Sequence, residues 1–100
     1  MIRHKFNAVQ TINDGIKFSS KKESRYYNEL KLRQYAGEVI FFLRQVPFQL
    51  TGNTKYFVDF VEFLSDGTVK FIDVKGVQTP MFKLKKKQVE SLYPVKIEIK

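Results

Sequence analysis

Cysteine is absent from this sequence, histidine occurs once, proline three times, and ten acidic residues face eighteen lysines and arginines. Without cysteine there is no disulfide framework and no thiolate metal centre, which fits a reducing compartment. No apolar run is long enough to span a bilayer, and no signal peptide with a cleavage site is present, so a cytoplasmic location is expected. The lone His4 lies in the basic run Arg3-His4-Lys5, which suits contact with solvent or phosphate better than a role as ligand or base. Neither an internal repeat nor a low-complexity segment occurs. The shortage of acids leaves a formal net charge of +8. Such a charge on so short a chain implies a polyanionic partner, nucleic acid first. Ten Phe and five Tyr supply the material for a core. One domain covering residues 1–100 is expected.

Along the chain, Val9–Ile12 and Ile16–Phe18 flank Asn13-Asp14-Gly15, a hairpin signal. A helix is expected over Ser20–Ala36, with Ser20 as N-cap, Glu23 at N3 of a capping box, and Gly37 at C′. Glu23 falls in the middle of the stripe formed by Tyr26, Tyr27 and Leu30. It is placed either as a cap or as a metal ligand, and the two roles are compatible. Val39–Val46, an apolar run bounded by Gly37 and Pro47, predicts a largely buried strand, with Gln45 near its end as an assisting group or an ordinary hydrogen-bond partner. Thr51-Gly52-Asn53 is a turn. Thr79 and Pro80 open a second helix that must stop by Tyr93 because Pro94 follows. Val95, Ile97 and Ile99 then alternate with charged residues in a last strand.

The centre of the chain is Tyr56–Gly76. Two strands there flank Ser65-Asp66-Gly67. A two-residue Asp66-Gly67 loop would set Phe63 against Lys70 and Glu62 against Phe71. A three-residue loop with Gly67 left-handed instead pairs Glu62 with Lys70, Phe60 with Ile72 and Val58 with Val74. The second register is the better match, and it makes Asp59 the direct neighbour of Asp73, with Lys75 two residues on. Adjacent carboxylates on an apolar sheet face repel unless a cation or a proton lies between them. The residues alone allow a buried Asp–Lys pair with a spare Asp, charges at a frayed sheet edge, or a metal site. Lys83, Lys85, Lys86 and Lys87 follow one short loop later on the second helix, and with Arg3 and Lys5 they are candidates for phosphate contact.

This order, a short hairpin and then αβββαβ with an Asp on the second core strand and Asp73-Val74-Lys75 on the third, resembles the PD-(D/E)XK nuclease superfamily. The likeness is to its small phage and prophage members, whose start the segment Asp14–Glu23 resembles, and it covers roughly residues 14–93. Val58 stands where the motif often has Pro. The resemblance implies an α/β fold, a mixed sheet with a restriction-endonuclease-like core. It also implies a Mg²⁺- or Mn²⁺-dependent DNA endonuclease, active in a host cytoplasm on a junction, flap or other phage DNA intermediate. Asp59 and Asp73 would be metal ligands, joined by Glu23 and the Val74 carbonyl, with Lys75 as the catalytic cation. One site per chain points to a homodimer if both strands are to be cut. Two rival readings are a non-catalytic nucleic-acid-binding module of the same fold and a regulator that docks on an acidic protein.

Overall fold

The computed structural model describes residues 10–100, and the candidate phosphate contacts Arg3 and Lys5 lie outside that range. Strands β1 (Thr11–Asn13) and β2 (Ile16–Phe18) form the expected hairpin. Helix α1 (Lys21–Tyr35) follows, then β3 (Val39–Gln49), β4 (Lys55–Leu64), β5 (Val69–Asp73), α2 (Pro80–Leu92) and β6 (Ile97–Ile99). The larger sheet has the order β3-β4-β5-β6, antiparallel except for the parallel β5–β6 pair. Over the described residues the protein is therefore a mixed α/β fold with two helices and two sheets.

Each helix begins and ends where local chemistry dictates. The Ser20 hydroxyl accepts from the Glu23 N–H at 3.1 Å. At the other end, Gly37 (φ +87°) lets its own N–H reach the Gln34 carbonyl and the Glu38 N–H reach that of Arg33, closing a Schellman motif. Thr79 caps α2 by accepting from the Phe82 N–H at 3.1 Å, with Pro80 at the first helical position. The β1–β2 hairpin is tied to α1 by Asn13, whose amide donates to Ser24 Oγ (3.0 Å) and Asn28 Oδ1 (2.8 Å). Asp14 accepts from Tyr27 Oη at 3.0 Å and from Lys31.

Two cores cover the two faces of the sheet. Phe18, Tyr26, Tyr27 and Leu30 pack with Phe60 and Ile72 on the α1 side. Phe82 and Val89 of α2 pack with Val61, Ile97 and Phe71 on the other. Period-two alternation explains this division for the inner half of the sheet, and each fully buried large side chain contributes roughly 1.5–3 kcal/mol. It fails for the outer half. Val58 and Tyr56 share parity with Phe60, yet they belong to the α2 core, as do Val46 and Phe48 of β3. The β3–β4 ribbon therefore turns over between Phe60 and Val58. At that level the ladder skips the opposed pair Gln45 and Asp59, and Gln45 has φ +51°.

The sequence expectation for β3 needs correcting. The strand does not end before Pro47 and is not largely buried, because it is the edge of the sheet and leaves Ile40, Phe41 and Leu43 exposed. Pro47 is accommodated because its missing N–H faces no neighbouring strand on that edge.

Candidate metal and nucleic acid site

The turn between β4 and β5 sets the site. Gly67 is left-handed (φ +89°), and Leu64 N–H donates to the Thr68 carbonyl at 2.8 Å, closing the three-residue loop. Phe60 then faces Ile72 and Glu62 faces Lys70. One step further, at the end of the ladder, Asp59 and Asp73 are interlocked. The Asp59 N–H donates to Asp73 Oδ1 at 2.9 Å, and the Val74 N–H donates to Asp59 Oδ2 at 2.9 Å. The two carboxylates are neighbours, as the register predicts.

Their other partners are neutral. Asp73 Oδ2 accepts from the Tyr56 hydroxyl, and Asp59 Oδ1 accepts from the Gln45 amide at 3.0 Å. The same Gln45 amide donates to Glu23 Oε2 at 3.3 Å, so it bridges the acid on α1 to the acid on β4. Glu23 Oε1 accepts from Ser19 Oγ at 2.8 Å. Glu23 and Asp73 are almost wholly buried, while Asp59 is partly exposed. Burial pushes the Asp73 carboxyl above the ordinary carboxylate range, and the Asp59 N–H and the fields of Lys75 and Lys86 oppose that rise.

Cations stand near the cluster without closing on its aspartates. Lys75 places its ammonium 4.9 Å from the Phe82 ring centroid and makes no salt bridge to Asp59 or Asp73 among the described residues, so the Asp–Lys pair allowed by the sequence does not form. Its carbonyl accepts from Lys22 Nζ at 2.9 Å. Arg44, which sequence reasoning passed over, lies 4.5 Å from the Phe18 ring centroid and brings Nη2 to 4.0 Å from Glu23 Oε2. Its Nε is buried with no hydrogen-bond partner among the described residues. On α2, Lys83 and Lys87 are exposed, Lys85 is partly covered, and Lys86 pairs with Glu90 at 3.3 Å, so the four do not form one uniform basic face.

Among the described residues, no three acidic or histidine side chains converge tightly enough to enclose a metal ion on their own. The donor set still suits a hard cation. Each carboxylate oxygen of Asp59 and Asp73 accepts one hydrogen bond and keeps a lone pair, and Mg²⁺ takes one or two carboxylates with water completing its shell. No helix among the described residues is long and apolar enough to cross a membrane. Searches of curated proteins and of solved structures return no match. The family described as "Protein of unknown function (DUF1064)" matches residues 3–99, and the chain belongs to it.

Proposed function

We propose that this protein is a metal-dependent DNA endonuclease with a PD-(D/E)XK-like core. The observation that carries the reading is the interlocked Asp59–Asp73 pair, held by a tyrosine, an amide and two backbone N–H groups, with Glu23 one amide away. Asp59 and Asp73 would hold Mg²⁺ or Mn²⁺, with the Val74 carbonyl beside them and Glu23 through water. The bound ion would supply an acidified water and screening of the scissile phosphate.

The chain's own residues divide the remaining tasks. Tyr56 and Gln45 fix the orientation of the two aspartates. Lys75, parked over Phe82 on a long stem, can swing to orient the attacking water or to meet charge developing on phosphate. Arg44 stands beside Glu23 with its Nε unpartnered among the described residues. Lys83, Lys85 and Lys87, with Arg3 and Lys5, would contact flanking phosphates, and cutting both strands of a duplex would call for a homodimer. The DNA substrate could be a junction, a flap, a recognition sequence or plain duplex.

Incubating plasmid, junction, flap and single-stranded DNA with the protein in Mg²⁺ and in Mn²⁺ tests this. Wild type is expected to cut at least one of them. Lys75→Ala should lose about 10²-fold or more in rate while still binding DNA. No cleavage of any substrate by wild type would leave a non-catalytic nucleic-acid-binding module.

A further inference from the structure

On the α1 side of the sheet, a recess of about 640 Å³ opens between α1 and β5. None of Glu23, Asp59 or Asp73 lines it, but Val74, whose N–H donates to Asp59, does, so the recess adjoins the acidic cluster. Five cations border it: Lys22, Arg25, Arg33, Lys70 and Lys100. Two carboxylates share the lining, Glu29 and Glu62. Glu62 is already spent, since it accepts from Tyr26 and from Arg33 Nη2 at 3.1 Å. Ile72 and Val74 make part of the floor.

From this geometry we infer that the recess binds one sugar–phosphate strand of a nucleic acid. Lys22 and Arg25 lie one turn apart on α1, and Lys70 and Lys100 share the lining with them, while Arg33 is held by Glu38 and Glu62. Arginine forks meet phosphate oxygens in pairs, which a row of lysines alone does not do. Lys22 also donates to the Lys75 carbonyl, so a strand lying here would pass beside the acidic cluster. The inference shares its class of partner with the endonuclease reading but requires no cleavage.

Binding of a fluorescein-labelled twelve-residue oligothymidylate to the full chain, followed by anisotropy across a KCl series in EDTA, tests the recess without any contribution from metal. Arg25→Gln/Lys70→Gln should weaken binding most at low salt. It should also reduce the slope of log affinity against log salt by about 1.4, at about 0.7 per lost phosphate contact. Lys100→Gln should reduce it by about 0.7. Unchanged slopes in both variants, with wild-type thermal melts, would overturn the proposal. So would displacement of the oligonucleotide by poly-glutamate at equal charge, since charge alone would then be read. Because EDTA silences cleavage, loss of this site leaves the endonuclease test untouched, and the reverse also holds.

Discussion

Two buried acidic clusters share one sheet, and they are built on opposite terms. On the α1 face, Glu62 is almost wholly buried and is met by Arg33 and Tyr26, so charge answers charge. At the β4–β5 ladder end, Asp59 and Asp73 are met by a hydroxyl, an amide and two backbone N–H groups, while the nearest cation to Glu23 stands 4.0 Å away. The first cluster closes its own electrostatic account. The second satisfies hydrogen bonding but leaves negative charge in a low-dielectric place, where it either takes up a proton or attracts a cation.

The comparison breaks most visibly at Glu62. Arg33→Met would strand a buried carboxylate and should cost about 3–5 kcal/mol in chemical denaturation. A cost below about 1 kcal/mol would mean that the Arg33 pairing does little for Glu62 and the contrast between the clusters is false.

Asp73 should behave in the opposite way. Its folded-state pKa is raised, so its contribution to stability is fully present below the ordinary carboxylate pKa and is lost as pH rises through the elevated value. Asp73→Asn keeps an acceptor for the Asp59 N–H and removes the charge. At pH 8 it should melt no lower than wild type and should lose that part of the pH slope. Adding Mn²⁺ at pH 8 should raise the melting temperature of wild type but not of Asp73→Asn. Equal rises in both would remove Asp73 from the ion.

Gln45 sharpens the contrast further. Its left-handed backbone is a cost of order 1 kcal/mol that glycine would relieve. Gln45→Gly relieves that strain but strips Asp59 and buried Glu23 of their shared donor. By denaturant midpoint it should be less stable than wild type by about 1 kcal/mol, and it should cut DNA more slowly. The smallest effect belongs to the exposed Lys31–Asp14 pair, where Asp14→Asn should leave the melting curve at pH 7 essentially unchanged.

How much of this the sequence disclosed follows from which forces act locally. The β4–β5 register was legible because Asp66-Gly67 restricts the turn and cross-strand chemistry selects between two loop lengths. From the register the Asp59–Asp73 contact follows at once. Both helix boundaries were legible through Ser20, Gly37, Thr79 and Pro94. The destination of Glu62 was not. Its cross-strand partner Lys70 is where the register puts it, but a helix brought over the sheet supplies Arg33 and Tyr26, and no spacing encodes that approach. The exposure of β3 was hidden for a related reason, since an apolar run reads alike on an edge and in a core. The inversion at Gln45 left no signal either, because glutamine is not a residue that announces a left-handed backbone.

Pro47 has a consequence for how this molecule meets copies of itself. An edge strand of eleven residues with apolar side chains turned outward is a template onto which another chain can zip, strand by strand, into larger aggregates. The missing N–H at Pro47 and the inverted residue two positions before it leave only the first half of that edge with an unbroken run of hydrogen-bonding groups, too short a stretch for extensive sheet growth.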